Sequence, residues 1–332
     1  MRNWFYPLIG ALLLVRCTGA IKDTEANVAV EAGTQVVDSA PAPKVRQSAI
    51  KKQQTIPDSA DSQPRLTGYW VGYFKEDREK HYSEKAVHAD VYSWQRENKI
   101  NISIDTIAGA LVRGHSVVAG NNRPFEGSIE SVIDSATQEV IYRFEVREPG
   151  DDQYDGTFTF EISNNQLVGT WQAYRPIEIP RRKYTLEPKS FAYDPDIVLE
   201  RTRRYIDWNN VEETAKTYDY GDGEVEEWIS QEFASATDQI YHINASNTRL
   251  VPSDVENLKR GDLIIIRNTI YARHGYSFKH RPLRVFFDAQ PWYVPVHADI
   301  RSDFTDIEKQ NLQLLLRYEK NAAEYYDYFG RG

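Results

Sequence analysis

The feature that most limits the possible folds is a series of short runs between residues 66 and 189 in which apolar and polar residues alternate. In one run Ile100, Ile102 and Ile104 alternate with polar residues, and in another Arg143 stands between Tyr142 and Phe144. Successive side chains of a β-strand point to opposite faces, so these runs are typical of strands with one buried face. Their number predicts a closed, roughly eight-stranded antiparallel up-and-down β-barrel. The runs span residues 66–74, 99–107, 110–119, 124–133, 140–147, 156–162, 166–173 and 183–188.

A second pattern lies at the two ends of this region. Gly68, Tyr69 and Trp70 open the first run, and Arg181 and Arg182 precede the last one. The arrangement resembles lipocalin and avidin-like barrels, in which an early tryptophan packs under a late basic residue. The resemblance implies a cup that holds a small apolar ligand. The alternative is a barrel filled by its own side chains, which the abundance of Phe and Tyr in the runs favours.

Composition indicates a folded protein of two domains. The chain has 332 residues, and 41% of them are hydrophobic, which is enough for two ordinary cores. The net charge is −9, and the basic residues are mostly interleaved with acidic ones. Because a surface that follows phosphates needs a basic stripe, nucleic acid is not expected as a partner.

The N-terminal residues predict export and a lipid anchor. Arg2 precedes an apolar run, residues 4–15, that is too short to span a bilayer, and Cys17 is the only cysteine. The end of the run resembles a lipobox but departs from it at Arg16, where a small residue is usual. We expect a lipoprotein signal peptide at 1–17, acylation of Cys17 and a location in the bacterial cell envelope as an outer membrane lipoprotein. The alternative is ordinary cleavage after Ala20.

Two connecting segments follow from composition. Residues 18–65 lack aromatic residues and leucine and contain four prolines, which predicts a disordered tether. Residues 66–190 form the expected barrel domain. Residues 194–244 carry Leu199, Tyr205 and other apolar residues among many charges, and a turn at 219–224 divides them. The spacing favours two helices, so a helical connector is predicted between the barrel and the rest of the chain.

The stretch 263–278 combines helical spacing with a marked helix end. Leu263, Ile266, Ile270 and His274 recur at steps of three and four, so they share one face of a helix. Gly275 follows at the position where a positive φ is usually needed. A short helix that ends at Gly275 is therefore predicted.

Further helix starts follow from end signals. Asp262 is expected to be the N-cap of the helix before Gly275. The sequences at 253–256 and 305–308 have the form of capping boxes and predict helices from Asp254 and Asp306.

A family resemblance covers about residues 245–325. Residues 271–275 read Tyr-Ala-Arg-His-Gly, and the stretches 253–258, 267–268, 286–287, 290–293 and 305–311 stand in the matching order. This part of the chain resembles the YARHG domain. The resemblance implies a bacterial protein exported to the envelope and a small helical domain, here 245–332, with no established activity. With the barrel it makes the chain a two-domain α+β protein.

One group of polar side chains in this stretch is a candidate binding site. Arg267 and Tyr271 are four residues apart and can converge, which would suit a carboxylate or a sugar. The alternative is structural: His274 and Arg273 belong to a helix end, and Asn268 holds a neighbouring loop. The candidate site consists of Arg267, Asn268, Tyr271, Arg273 and His274.

No strong catalytic signature is present in the sequence. Histidine pairs with metal-ligand spacing, nucleophile elbows and glycine-rich phosphate loops are absent from it, so no catalytic residue, metal or cofactor is predicted. The expected function is binding, with a cell-wall glycan or a small apolar molecule as ligand and the membrane as partner through the anchor. The alternative is a hydrolase of envelope polymers that uses Tyr271 and His274.

Overall fold

The computed structural model describes residues 65–77, 97–221 and 224–325. Eight strands form the first part of the fold, and each pairs in antiparallel fashion with its neighbours in sequence. Strand β1 also pairs with β8, which closes the sheet, so the predicted up-and-down barrel is confirmed. The strands are β1 Gly68–Glu76, β2 Asn98–Ala108, β3 Leu111–Val118, β4 Asn121–Ile133, β5 Val140–Arg147, β6 Gly156–Ser163, β7 Gln166–Ala173 and β8 Arg181–Lys189.

The barrel interior is filled by the side chains of its own strands. The alternating residues that face inward are aromatic or branched, and each of those in the buried cluster is at most 6% exposed. Phe144 stacks on Phe160 with 4.6 Å between ring centroids, and Phe74 meets Trp171 edge to face at 5.7 Å. Of the two sequence-based interpretations, the filled barrel therefore agrees with the structure.

Trp70 lies inside the barrel, as expected, but its predicted basic partner is wrong. In the ladder between β1 and β8, Trp70 pairs with Pro188 whereas Arg182 pairs with Glu76, six residues further along β1. The Arg182 guanidinium lies 5.0 Å from the ring centroid of Phe74 instead. The register of barrel closure, which the sequence pattern does not specify, separates the tryptophan from the arginine.

The predicted helical connector at 194–244 is also wrong. Residues 194–205 form turns and irregular structure, and then β9 (Ile206–Asp219) and β10 (Val225–Ser235) form a two-stranded antiparallel ribbon. The amide of Gly221, whose φ is +83°, donates to the Asp219 side chain in the connecting turn. Val225, Trp228, Ile229 and Phe233 recur at steps of three and four, as in a helix, but cross-strand pairing overrides this local spacing.

The helices belong to residues 238–325, which we call the C-terminal module. A short 3-10 turn at Asp238–Tyr241 precedes them. Their core also takes in Leu199 and Tyr205, which lie before the predicted start of this domain. The helices are α1 Pro252–Val255, α2 Arg260–Arg273, α3 Arg281–Asp288 and α4 Asp306–Tyr325.

The predicted helix ends are correct at some positions and wrong at others. The capping box at the start of α4 is confirmed, because the Glu308 amide donates to Thr305 Oγ1 and the Thr305 amide donates to Glu308. Asp262 is not the N-cap, since α2 begins two residues earlier and Asp262 accepts from the Lys259 amide. In the same way α1 begins at Pro252 and not at Asp254.

The C-terminal module packs on the outer wall of the barrel at β1 and β2. Lys99 on β2 is buried there, and its Nζ donates to the carbonyls of Gln290 and Tyr293 at 2.8 and 3.1 Å. The Lys99 amide donates to the Asp288 carboxylate, and the Tyr73 hydroxyl donates to the Asp288 carbonyl. These contacts join the barrel to the C-terminal end of α3.

Candidate functional site

The stretch around Tyr271–Gly275 forms the C-terminal end of α2 as the sequence predicts. Gly275 has φ +70°, and its amide donates to the Ala272 carbonyl. A Cβ at this position would lie 2.3 Å from Cγ2 of Val296 and 2.9 Å from the ring of Phe191. Glycine is therefore needed both for the backbone conformation and for the close approach of the neighbouring loop.

His274 lies at the centre of a buried polar cluster. It is 6% exposed, and its Nε2 is 2.8 Å from Oε2 of Glu308, which is itself fully buried. The Tyr193 hydroxyl donates to Oε1 of the same carboxylate, and the Tyr193 ring stacks on the imidazole at 4.2 Å. The partner of Nε2 is thus not a group of the helix end but a side chain 34 residues away in the sequence.

Electrostatics favours the ionised form of Glu308 in this cluster. Burial favours the neutral carboxyl, but the hydrogen bonds from His274 and from the Thr305 amide outweigh it, so the pKa of Glu308 lies below its ordinary value. A carboxylate can only accept hydrogen bonds, so Nε2 of His274 carries the proton. The pKa of the Tyr193 hydroxyl is raised by burial and by the neighbouring carboxylate, which keeps this group a donor.

Arg273 is also buried, and its guanidinium bonds to the irregular segment before the ribbon. Its Nε and Nη2 donate to the Ile197 carbonyl at 2.9 and 2.6 Å, and Nη1 donates to Ser246 Oγ. Burial lowers the pKa of Arg273 to about 10. All three contacts are internal to the protein, so this side chain serves as a clamp on the connecting segment.

The other three predicted site residues are likewise bonded within the protein. Arg267 forms a two-pronged ion pair with Glu319 on α4 and lies over the ring of Tyr271. Asn268 donates to the Ile264 carbonyl of its own helix, not to a neighbouring loop. Tyr271 is half-buried against Phe304. The structure brings Arg267 and Tyr271 together but places Arg273 and His274 in a separate buried cluster, so the five do not form one cleft.

A groove at one end of the barrel is a candidate site that the sequence analysis missed. It has a volume of about 360 Å³ and lies where β4 begins and the loop between β5 and β6 returns. Glycine, proline and polar residues line it, and no sequence motif marked it because its two parts are about thirty residues apart in the chain. The lining residues are Gly120, Asn121, Asn122, Arg123, Pro124, Pro149, Asp151, Asp152 and Asp155.

An ion-pair network joins the two sides of this groove. Arg123 pairs with Asp152 at 3.1 Å and with the buried Asp155. Asp155 in turn accepts from the amides of Gly150 and Asp152. The hydrogen bonds and the Arg123 charge hold the pKa of Asp155 below its ordinary value despite burial. Within the described residues, the side chains of Asn122 and Asp151 take no part in this network and remain exposed.

Comparison with known proteins identifies one region. Residues 239–320 match the family model of the YARHG domain. The match suggests an extracellular or periplasmic module of uncertain function. Neither the curated proteins nor the solved structures that were searched contain a match to the chain.

Two further properties concern the described residues alone. No helix in 65–77, 97–221 or 224–325 has the length and apolar character needed to cross a membrane. In the same ranges no group of three or more His, Cys, Asp or Glu side chains is arranged to hold a metal ion.

Proposed function

We propose that the protein is a non-catalytic binding protein of the bacterial cell envelope, and that it binds a cell-wall glycan in the groove at the end of the barrel. The observation that carries the proposal is the contrast between a filled barrel interior and an open groove with polar walls. A ligand that binds in the groove leaves the barrel core in place, and it contacts amide, carboxylate and guanidinium groups and not an apolar surface.

The filled interior argues against a small apolar ligand. An apolar binding cavity would need space among the inward-facing rings, yet Phe144, Phe158 and Phe160 are almost completely buried by their neighbours. Well-packed interiors accept added volume only at the cost of moving side chains or backbone. Of the two ligand classes that the sequence allows, the glycan therefore fits this protein better.

The groove has the chemistry that sugar hydroxyls require. Asn122 and Asp151 present an amide and a carboxylate that are free to exchange hydrogen bonds, and the network under Arg123 fixes the walls before a ligand arrives. Preorganised polar groups lose little entropy on binding. Tyr154 and Tyr174, which are about half exposed, lie on or beside the loop between β5 and β6, and we propose that their rings stack on the sugar.

The envelope location rests on the export signal and on the YARHG match. Cys17 and the tether at 18–65 lie outside the described residues except for Arg65. We place the lipid anchor on Cys17, with the barrel and the C-terminal module held away from the membrane by the tether. Cys17→Ser is expected to move the protein from the membrane fraction to the soluble envelope fraction. Recovery of an unlipidated wild-type protein that starts at Ile21 would contradict the anchor.

A hydrolase that uses Tyr271 and His274 is disfavoured by the contacts of both residues. His274 is buried and bonded to Glu308, and Tyr271 packs on Phe304 and Arg267. A general base has to reach the proton it removes, and a buried imidazole with an internal partner does not reach a polymer in solvent.

Co-sedimentation of the purified full chain with peptidoglycan sacculi tests the binding proposal. The double variant Asn122→Ala and Asp151→Ala is expected to bind at least tenfold more weakly than wild type, since both groove side chains are lost while the Arg123 network stays. The matched control is Glu130→Ala on the exposed part of β4 outside the groove.

Two results would overturn the proposal. One is equal binding by wild type and the groove variant, or no binding by wild type. The other is release of soluble fragments from the sacculi by the wild-type protein, which would establish catalysis.

A further inference from the structure

The ribbon of β9 and β10 is a sheet with exposed edges. Within the described residues the two strands pair only with each other, over nearly their whole length, so one edge of each strand has no partner strand. The base of the ribbon is fixed to the C-terminal module, where Ala234 is buried and the Ser235 carbonyl approaches Gly261 of α2. Unpaired backbone N–H and C=O groups along an edge are a template for another strand.

Both faces of the ribbon expose apolar side chains. Directly paired residues share a face, so Val225, Ile229 and Val211 lie on one side of the ribbon, and Tyr218 and Trp228 lie on the other. Ile229 is 63% exposed, and the other four are 41–57% exposed. An isolated two-stranded sheet is marginally stable in water, and exposed apolar patches of this kind mark interaction surfaces.

The ribbon also carries most of the net charge of the protein. Residues 206–235 contain nine Asp and Glu, one Lys and no Arg, which is a formal charge of −8 in a chain whose total is −9. Glu212 stands directly opposite Glu232 across the two strands. Like charges in opposed positions destabilise a sheet, and a cation placed beside them removes that repulsion.

We infer that the ribbon is a docking surface for a lysine- or arginine-rich protein segment that adds along its edge as an extended strand. Main-chain hydrogen bonds to the free edge would supply affinity, and side chains at alternate positions would supply specificity. The partner's cations contact Glu212, Glu226 and Glu232, which share the Trp228 face, while its apolar side chains cover the Ile229 face. This surface lies on different strands from the groove, so the inference stands independently of glycan binding.

The charge decides between this occupant and others. A second copy of the chain would bring two ribbons of formal charge −8 together, and such like-charge contact is unfavourable. Anionic lipid headgroups and nucleic-acid phosphates are repelled for the same reason. A cationic protein segment is the class of partner whose charge complements the ribbon.

Binding of labelled peptides to the purified full chain tests the inference. The first probe is a twelve-residue peptide that alternates Lys and Val, and the second is the same peptide with Glu in place of Lys; fluorescence anisotropy follows both. We expect the Lys peptide alone to bind. Glu212→Gln, Glu226→Gln and Glu232→Gln together should weaken binding at least tenfold and reduce its dependence on salt. Ile229→Ala should weaken binding severalfold, since the peptide also covers that face.

The matched control separates docking from general charge attraction. Glu130→Gln, Glu187→Gln and Glu256→Gln together make the same change in net charge at exposed positions outside the ribbon, and binding should stay within twofold of wild type. Equal weakening by the two triple variants, equal binding of both peptides, or no binding of the Lys peptide would each overturn the inference. Binding of the protein to vesicles of anionic lipid would also overturn it. So would a wild-type dimer in analytical ultracentrifugation that the Ile229→Ala variant does not form.

Discussion

The barrel and the C-terminal module are stabilised by different kinds of interior. Inside the barrel the buried side chains are mainly aromatic and branched, as Trp70 and Phe160 illustrate. The C-terminal module has an apolar core of similar size, but charged and amide groups lie buried beside it: Glu308 meets His274, and Asn311 bonds to the carbonyls of Ala245 and Thr248. One interior is specified by shape and volume, and the other also by donors and acceptors.

This difference predicts which kind of substitution lowers the free energy of unfolding most in each part. Loss of volume from an apolar interior costs transfer free energy and leaves a cavity, and the neighbours relax in part. Loss of one member of a buried polar cluster leaves its partners desolvated and unpaired. Small shifts of the neighbouring side chains do not restore the lost hydrogen bonds. The module should therefore respond more sharply to one polar truncation than the barrel does to one large apolar truncation.

The largest effect is expected from Glu308→Ala in the C-terminal module. The variant leaves His274, the Tyr193 hydroxyl and the Thr305 amide without their acceptor, and we expect a loss of about 4 kcal/mol of the free energy of unfolding. Urea denaturation with hydrogen exchange at α2 and α4 measures the change. Asp306→Ala, on the same turn but exposed, is the control and should change little. A loss below about 1 kcal/mol would show that the cluster does not support the module.

Trp70→Ala in the barrel should come next. Trp70 is 1% exposed, and its removal leaves a cavity that costs about 3 kcal/mol. Hydrogen exchange at β1, β2 and β8 locates the loss in the barrel, and amides of α2 should stay protected. Trp228→Ala on the exposed ribbon is the matched control, with an expected change within about 0.5 kcal/mol. Equal effects of the two substitutions would contradict the filled barrel.

Gly275→Ala should have a smaller effect, of about 2 kcal/mol, because alanine resists positive φ and its Cβ meets Val296. Gly109→Ala separates the two causes, since Gly109 has φ +62° but open space around its Cβ position. We expect about 1 kcal/mol there, from conformation alone. Thermal unfolding of both variants gives the comparison, and a Gly275→Ala variant no less stable than Gly109→Ala would exclude the clash.

Much of the barrel could be predicted from sequence. A period of two residues specifies which side chains share a face, and the run at Tyr142 and Phe144 became β5 with the predicted bounds. Around Ile229 the apolar residues recur at steps of three and four instead, which favours a helix. The helical prediction failed there because the strand pairing that stabilises the ribbon lies across a turn and outside any one local window.

The sequence by itself determined what depends on neighbours in the chain: strand periodicity in the barrel, the positive φ at Gly275, and the capping box of Thr305 and Glu308. Only the tertiary structure decided what depends on distant residues. It closed β1 onto β8, placed Glu308 against His274, and brought Arg123 to Asp152 in the groove. The physical reason is that periodicity and end signals act over a few residues, whereas buried polar pairs and groove walls form between segments that only packing brings together.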